Sequence, residues 1–447
     1  MLELSHGRKL RIKNGVLSAG SWIPMMHGAL QELLQLIEAA FPVPGRFRPG
    51  LPGDVAELSR LLTRSRSDRK GGYLNQPKLL SAYLRYFLPW NVFRLHRLFS
   101  FGAGGPSTAA GEALPLGLTG GSAITDIGSG PLTLPAALWL FRPELRGLNL
   151  EFRCVDKSGS ALEAGKQLLG ALAAAGGGGA WKIRTIHGPL DTPIRGEGAA
   201  LVTAVNVFNE VYRFDDSPRE LSLAGERAAE LLERSSAREG SILVMEPGVP
   251  GSGAFIAALR NALLKRGRKI TAPCTHGGPC PLPGEGRGGE VPPGSRAHSR
   301  PFPGPAAGGR RTAGGRAKWC HFAFDTTEAP VELHRLSAAA GIPKERAAFS
   351  FLLAGPAGKA PELPGGETPD PPVVRILSDP FPLREFSAAA GRAGQWGRYG
   401  CSDRGLVLVA GNRDETERAG PGTMGAAVLT DLRDPKTGAP VAALPFL

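Results

Sequence analysis

Two cysteines separated by five residues are the first candidates for chemistry in this sequence. The chain has 447 residues and 5 cysteines, and Cys274 and Cys280 lie in the stretch APCTHGGPCPLP. The two glycines between them allow the loop to fold back and direct both sulfurs at one centre. An odd number of cysteines without an apolar export segment favours reduced thiols over a disulfide framework. The pair therefore predicts a metal site, with structural zinc and an iron-sulfur cluster as alternatives.

A second set of candidates follows a series of short apolar runs. The run SAITDI contains Asp126 and leads into Gly128 and Gly130, the run LNLEFRCVD ends on Asp156, and the run ALVTAVN ends on Asn206. Parallel strands present their carboxyl ends at one sheet edge, where glycines let a nucleoside cofactor approach the backbone. An acidic side chain at the end of the second strand accepts hydrogen bonds from ribose hydroxyls. The pattern predicts a nucleoside-cofactor site at this edge.

The alternation of buried strands with helical stretches predicts an α/β fold with a parallel sheet covered by helices. Its first turn differs from the usual dinucleotide turn, G-x-G-x-x-G, because Pro131 follows Gly130 and the third glycine is missing. A redox enzyme that binds a nicotinamide or flavin cofactor remains an alternative for the same edge. Cys154 lies within the second strand, and we expect it in the core.

The composition divides the chain into four parts. Residues 1–110 read as a basic helical module, with helices over 26–40 and 54–66 and a third that we expect to stop at Pro89. Residues 111–270 form the cofactor-binding core, which a Gly/Ala/Ser-rich connector precedes. Residues 271–330 hold the cysteine loop, including a Gly/Pro/Arg-rich segment, 283–318, that is too poor in apolar residues to fold alone. Residues 331–447 read as a small β-rich extension.

The positive charge is concentrated in two of these parts. The chain has a net charge of +13, and residues 1–110 contain 15 Lys/Arg against 6 Asp/Glu. The segment 283–318 contains 7 Lys/Arg against 2 Asp/Glu, while the remainder is close to neutral. This distribution favours a polyanionic partner such as nucleic acid over an uninvolved solvated surface. No apolar run approaches the roughly 18 residues of a membrane span, so we expect a cytosolic protein without a membrane partner.

These motifs together resemble a known family. The residues that carry the resemblance are ITDIGSGP, VDKS, VNVFNEV, VMEPG, APCTHGGPCPLP and KWCHF, in that order along the chain. They are similar to the methyltransferase-like proteins of the mitochondrial small ribosomal subunit and their bacterial relatives, over about residues 120 to 410. The resemblance implies a Rossmann-like class I methyltransferase fold with a helical N-terminal module and a small β-rich C-terminal extension holding a metal cluster. It also implies a role in assembly of the small ribosomal subunit.

The resemblance assigns residues to two cofactors. S-adenosylmethionine contacts fall on Asp126, Gly128, Gly130 and Asp156, and we include Asn206 among them. The ligands of a four-iron four-sulfur cluster fall on four cysteines. They are Cys274 and Cys280 in PCTHGGPC, Cys320 in KWCHF and Cys401 in RYGCSDRG. The segment 283–318 departs from the family pattern because it separates the second and third cysteines, although a flexible loop closes at modest entropic cost.

The acceptor side of the site is less defined. Base-methylating enzymes of this fold often carry an Asn/Asp-Pro-Pro-aromatic turn, whereas this chain has Asn206-Val207-Phe208-Asn209 without proline. We name no catalytic residue. The leading function is a ribosome-associated protein that binds S-adenosylmethionine, small-subunit rRNA and the cluster as a monomer, cytoplasmic or, in a eukaryote, mitochondrial. An active rRNA methyltransferase is the first alternative, and a redox enzyme on a dinucleotide fold is the second.

Overall fold

The computed structural model describes most of the chain. The described residues are 22–63, 72–101, 114–179, 181–212, 217–278, 280, 282, 319–357, 370–383, 395–444 and 446. The side chains of residues 22–25 are not described. The basic loop 64–71 of the helical module and the basic segment 283–318 lie outside the described residues. Both belong to the regions whose positive charge favours a nucleic-acid partner.

Helices occupy the first part of the chain and then alternate with strands. The α-helices are α1 (Trp22–Ala40), α2 (Leu51–Thr63), α3 (Pro77–Ala82), α4 (Leu88–Phe99), α5 (Thr133–Phe141), α6 (Gly159–Ala175), α7 (Phe208–Val211), α8 (Pro218–Ser235), α9 (Pro250–Lys265), α10 (Val331–Ala339) and α11 (Arg413–Arg418). A π-helical turn, Tyr83–Phe87, joins α3 to α4.

The strands form two sheets. They are β1 (Ala123–Ile127), β2 (Glu151–Asp156), β3 (Lys182–His187), β4 (Ala199–Val205), β5 (Ser236–Pro247), β6 (Arg268–Ala272), β7 (Phe322–Asp325), β8 (Arg346–Ala357), β9 (Val373–Ile376), β10 (Phe381–Pro382), β11 (Trp396–Ser402), β12 (Gly405–Gly411), β13 (Met424–Ala426), β14 (Leu429–Arg433) and β15 (Pro440–Ala443). The first sheet has the order β3-β2-β1-β4-β5-β8-β6, with β7 also paired to β8.

Five parallel strands form the centre of the first sheet. β1 lies between β2 and β4, β5 pairs with β4, and all of these pairs are parallel. β1, β4 and the second half of β5 are almost entirely buried, as expected for strands covered by helices on both faces. The carboxyl ends of these strands therefore meet at one edge, which confirms the predicted Rossmann-like α/β fold.

One strand of this sheet was assigned to the wrong part of the chain. The strand-like stretch AFSFLLAG falls within residues 331–447, which we predicted as a β-rich extension, but β8 pairs antiparallel with β5 on one side and with β6 on the other. Phe349 and Phe351 on β8 are fully buried. The local pattern predicts a strand correctly, but its partner is fixed only by long-range pairing, so the core extends past residue 331.

The helical module packs directly on the core. α1 buries one face through Met26, Leu30, Leu33 and Ile37, whose spacing follows the helical repeat. α1 contacts α4 and α6, and α4 contacts α5 and β8. The described part of the module is helical, as the sequence indicates, and covers one face of the sheet.

The third predicted helix does not stop at Pro89. It passes through the π-helical turn Tyr83–Phe87 and continues as α4 to Phe99. Proline lacks an N–H group and crowds the carbonyl four residues earlier, so it disrupts a regular α-helix. Here Pro89 lies in the first turn of α4, where the wider i to i+5 spacing of the preceding turn accommodates it.

The second sheet is formed by the C-terminal part of the chain. Its order is β13-β9-β11-β12-β15-β14, with β10 also paired to β11, and most of its pairs are antiparallel. Val374, Ile376, Val407 and Val409 form part of its buried core. None of the described helices is long and apolar enough to cross a bilayer.

Candidate functional site at the carboxyl edge of the first sheet

A glycine turn follows β1 at the carboxyl edge. Gly128 and Gly130 have left-handed backbones, with φ of +68° and +55°. A Cβ atom on Gly128 would lie 1.9 Å from Cγ2 of Val207, so the turn also requires glycine for space. The N–H groups of Gly128 and Ser129 donate to the carbonyl of Val155 at 2.8 and 3.0 Å. These contacts hold the turn against β2.

Asp126 lies beneath this turn and not in the wall of the cavity described below. Its carboxylate is 1% exposed and accepts hydrogen bonds from Oγ of Ser129 at 2.5 Å and Oγ1 of Thr203 at 2.6 Å. Burial raises the pKa of Asp126 to about 6. Because its carboxylate is buried away from the cavity, Asp126 supports the turn and joins β1 to β4.

Asp156 connects the glycine turn to the next helix. One carboxylate oxygen accepts the N–H of Gly130 at 2.9 Å, and the other accepts the N–H of Ser158 at 2.8 Å. Ser158 in turn caps α6 by accepting the N–H of Ala161. Burial raises the pKa of Asp156. Asp156 is thus fixed at the end of β2, where the sequence analysis expected a ribose contact.

Asn206 begins a turn that a buried glutamate supports. Its backbone is left-handed, with φ of +56°, a conformation that asparagine tolerates better than most residues. The N–H groups of the next three residues, Val207, Phe208 and Asn209, donate to Glu246 at 3.1, 2.8 and 3.1 Å. Glu246 is fully buried, and burial raises its pKa to about 8. This carboxyl group fixes the loop that carries Asn206.

The glycine turn, Asp156 and Asn206 line one cavity of about 180 Å³. Four of the five residues predicted to contact the cofactor are in its wall, namely Gly128, Gly130, Asp156 and Asn206. The cavity is smaller than the roughly 300–1,000 Å³ of typical ligand clefts. Residues of the helical module narrow it: Tyr73, Leu74 and Tyr83.

The contacts between the helical module and the cavity were not predicted from the sequence. Oη of Tyr73 donates to Oε1 of Glu210 at 3.2 Å, and Oγ of Ser158 donates to Oδ1 of Asn75 at 2.8 Å. Oη of Tyr83 lies 3.8 Å from where a Cβ of Gly130 would be. The segment GGYLN after the basic loop has the glycine and aromatic composition of a binding loop, but nothing local indicates that it faces residues 83 and 137 positions later.

A larger cleft, of about 420 Å³, lies at the opposite edge of the sheet. Glu151, Arg153 and Glu239 are in its wall. Arg153 forms an ion pair with Glu151 at 3.5 Å and donates to the carbonyl of Glu197 at 2.6 Å. Ligands of open α/β sheets bind at the carboxyl ends of the strands, so the smaller cavity is the candidate cofactor site.

The four cysteines predicted as metal ligands come together from separate parts of the chain. Cys274 follows β6, Cys280 lies in the next loop, Cys320 precedes β7, and Cys401 is within β11 of the second sheet. Burial raises the pKa of Cys320, and so do the charges of the other three thiolates. Burial also raises the pKa of Cys401, and the negative charges of Cys274 and Cys280 raise the same pKa further. The sulfurs are therefore close enough to interact electrostatically.

The same sulfurs do not form a compact site for a single ion. Among the described residues, no three His, Cys, Asp or Glu side chains are grouped closely enough to hold one metal ion. A structural zinc ion needs its sulfurs at about 2.3 Å from one centre. The predicted metal cluster in the C-terminal extension is accordingly not confirmed. The fold brings the four thiols into one region of the protein.

The remaining cysteine and the neighbouring histidines have other contacts. Cys154 is fully buried in β2, as expected for a core residue. His321 stacks on Trp319 with ring centroids 4.5 Å apart. Burial, followed by the charge of Arg260, lowers the pKa of His276.

Strand order and cavity together define a class of protein. The first sheet has the order β3-β2-β1-β4-β5-β8-β6, in which the antiparallel strand β8 lies between β5 and β6. This strand order is that of class I S-adenosylmethionine-dependent methyltransferases. Dinucleotide-dependent oxidoreductases have the order 3-2-1-4-5-6 without this antiparallel insertion. The chain thus has a Rossmann-like class I methyltransferase fold.

One family comparison is more specific. A family model described as mitochondrial small ribosomal subunit Rsm22 matches residues 123–287. The match runs from the start of β1 to beyond Cys280 and covers less than half of the chain. Comparison with curated protein sequences gives no match.

Several solved structures are similar to the chain. One is an S-adenosylmethionine-dependent methyltransferase from Thiobacillus denitrificans in complex with S-adenosyl-L-homocysteine, at 17% identity and a TM-score of 0.25 over 41% of this chain and 64% of that one. A putative class I methyltransferase from Listeria monocytogenes has 10% identity and a TM-score of 0.31 over 76% and 89%. A ribosomal protein L11 methylase from Lactobacillus delbrueckii has 17% identity and a TM-score of 0.23 over 33% and 62%.

Proposed function

We propose that this protein binds S-adenosylmethionine at the carboxyl edge of the first sheet and acts on the small ribosomal subunit through contacts with its RNA. One observation carries the cofactor proposal: Gly128, Gly130, Asp156 and Asn206 line a single cavity at the edge where this fold binds ligands. In that cavity, Asp156 would accept the ribose hydroxyls of the cofactor, and the glycines would leave space beside the backbone.

Replacing Asp156 by alanine is expected to weaken S-adenosylmethionine binding by about ten- to a hundredfold, since hydrogen bonds to a charged group contribute on the order of 1.5–3 kcal/mol. The measurement is isothermal titration calorimetry with S-adenosylmethionine and, separately, S-adenosyl-L-homocysteine. Thermal melting without ligand checks folding, because Asp156 also holds Gly130 and Ser158.

Glu163→Ala is the matched control for this experiment. Glu163 lies on α6 shortly after Asp156 but is exposed to solvent. Its replacement should leave the affinity unchanged. If wild-type protein does not bind either nucleoside, or if Asp156→Ala binds as well as Glu163→Ala, this assignment of the cavity is incorrect.

The ribosomal part of the proposal rests on charge and on the family match. Most of the excess positive charge is concentrated in residues 1–110 and 283–318, and the matched family model is described as a small-ribosomal-subunit protein. Lysine and arginine that neutralise RNA phosphates release counterions, which makes the affinity decrease with salt. If the protein binds through these two segments, its affinity for the subunit would decrease as the ionic strength rises.

Sedimentation with small ribosomal subunits tests this association. We expect the protein to migrate with small-subunit particles at low salt and to be released progressively as the salt concentration rises. Large-subunit particles in the same gradient serve as the control. Protein that stays at the top of the gradient at low salt, or that follows both subunits equally, contradicts the proposal.

A third element of the proposal is an iron-sulfur cluster on Cys274, Cys280, Cys320 and Cys401. The four cysteines fit such a cluster, because four thiolates are its usual ligands. Each thiolate binds a different iron, so the sulfurs lie farther apart than the four sulfurs around a single zinc ion. Three residues next to these cysteines in sequence or strand pairing have buried polar atoms without hydrogen-bond partners in the described structure: Nε of Arg375, Nδ1 of His276 and Oδ2 of Asp403. When bound, the cluster would link the cysteine loop to the second sheet.

The structure offers less support for methyl transfer to a base. The turn after Asn206 lacks the prolines of base-methylating enzymes, and Glu246 holds its backbone N–H groups. Glu210, a carboxylate at the cavity, accepts a hydrogen bond from Tyr73 of the helical module. We therefore propose cofactor binding and subunit association as the function and make no assignment of a catalytic residue.

A further inference from the structure

Two buried arginines flank the four cysteines. Arg260 on α9 is 2% exposed, and its Nε donates to Sγ of Cys274 at 3.2 Å. Its Nη2 donates to the carbonyl oxygens of His276 and Gly278 at 2.8 and 2.7 Å. One guanidinium therefore contacts a thiol sulfur and also fixes the loop that leads to Cys280.

Arg375 approaches the same cysteines from the second sheet. It is the backbone partner of Cys401 in the pairing of β9 with β11 and is 5% exposed. Its Nη1 donates to the carbonyl of Gly422 at 2.9 Å and its Nη2 to Sδ of Met424 at 3.2 Å. Its Nε is buried without a hydrogen-bond partner in the described structure. Burial lowers the pKa of Arg375, and the negative charges of Cys274, Cys320 and Cys401 oppose this shift.

Neither arginine forms an ion pair with a carboxylate among the described residues. Other buried arginines do: Arg268 pairs with Glu233 at 3.3 Å, and Arg85 pairs with Glu38 at 2.7 Å. An uncompensated buried charge is strongly destabilising, so an anion near a buried guanidinium stabilises it. The anionic groups near Arg260 and Arg375 are the cysteine thiolates and, close to His276, the carboxylate of Asp403.

We propose that Arg260 and Arg375 are positioning residues that hold the negative charge of a tetrathiolate cluster inside the protein. This inference rests on the cluster proposed above. Four thiolates around an oxidised four-iron four-sulfur core leave two net negative charges, one for each guanidinium. Reduction adds a third negative charge, which both arginines stabilise. Loss of either arginine therefore shifts the reduction potential of the cluster to more negative values and weakens its retention.

The test uses the full chain purified without oxygen. Iron and sulfide content are measured first, followed by the midpoint potential from an electron paramagnetic resonance titration and the rate of iron loss in air. Arg375→Gln is expected to have a more negative midpoint and about tenfold faster iron loss, since it removes a positive charge from the residue paired with Cys401. Arg375→Lys keeps the charge and is expected to keep a midpoint near that of the wild type.

Arg398→Gln is the matched control. Arg398 is also a buried arginine of the second sheet, and it donates to the carbonyls of Thr416 and Ser378. None of the thiols acts on it. Equal midpoints in the Arg375→Gln and Arg398→Gln proteins would overturn the inference. Should Arg375→Gln fail to fold by circular dichroism, an Arg375→Lys protein with a strongly shifted midpoint would overturn it instead. Wild-type protein without iron would refute the cluster itself, which is a distinct outcome.

Discussion

A Gly128→Ala protein is expected to unfold at clearly lower denaturant concentration than the wild type and to lose affinity for S-adenosylmethionine. The new Cβ would meet Cγ2 of Val207 at 1.9 Å on a left-handed backbone. We expect a loss of about 2–5 kcal/mol in the free energy of unfolding, from left-handed strain of about 1–2 kcal/mol and overpacking of about 1–3 kcal/mol. Urea unfolding followed by circular dichroism measures this loss.

Two further variants separate these causes. Gly130→Ala has a similar backbone angle, but its Cβ would have no closer neighbour than Oη of Tyr83 at 3.8 Å. The Gly130→Ala protein should therefore lose only the part of the unfolding free energy that comes from left-handed backbone strain, about 1–2 kcal/mol. Adding Val207→Ala to Gly128→Ala removes the colliding methyl group and should restore part of the stability. If the Gly128→Ala protein is no less stable than the Gly130→Ala protein, the collision with Val207 does not contribute to the loss of stability.

A Glu246→Gln protein is expected to be less stable than the wild type by about 1–3 kcal/mol at pH 5, with the difference narrowing towards pH 8. The amide nitrogen cannot accept an N–H group, so the N–H of Asn209 loses its acceptor. Burial raises the pKa of Glu246 to about 8 from 4.5, and the folded state retains a proton that the unfolded state releases. The stability from this proton is complete below about pH 4.5 and is lost as pH rises through 8.

Unfolding curves at several pH values test this prediction. Glu239→Gln is the control, because Glu239 lies on the same strand, β5, and is exposed. Burial also raises the pKa of Asp126, to about 6, but this carboxyl group is present in all three proteins and its contribution cancels. A constant difference between Glu246→Gln and wild type across this range would show that Glu246 does not titrate as described.

The cofactor edge illustrates what sequence patterns can establish. Gly128, Gly130, Asp156 and Asn206 follow apolar runs that become parallel strands, and parallel strands place their carboxyl ends together. Their proximity therefore follows from the fold class. Asp126 differs because it comes before the turn, with its side chain under the loop, where Ser129 and Thr203 bond its oxygens. A position along a strand does not specify this direction.

Strand β3, Lys182–His187, shows a limit of the apolar pattern. It lies at the edge of the first sheet beside β2 and is only partly buried. In its sequence, KIRTIH, the charged Lys182 and Arg184 alternate with Ile183 and Thr185, but Ile186 breaks this alternation. The runs that signalled the sheet were the fully buried ones, and this strand lacks such a run.

By itself, the sequence determined the Rossmann-like core, the helical module and the polar edge, since apolar periodicity reports local burial and parallel strands share one direction. Only the tertiary structure decided that β8 completes the core sheet, that Tyr73 and Tyr83 narrow the cavity, and that Arg260 and Arg375 flank the cysteines. Each of these depends on contacts between residues far apart in the chain. Local sequence propensity does not specify such partners, because their pairing and packing energies are gained only when distant parts of the chain come into contact.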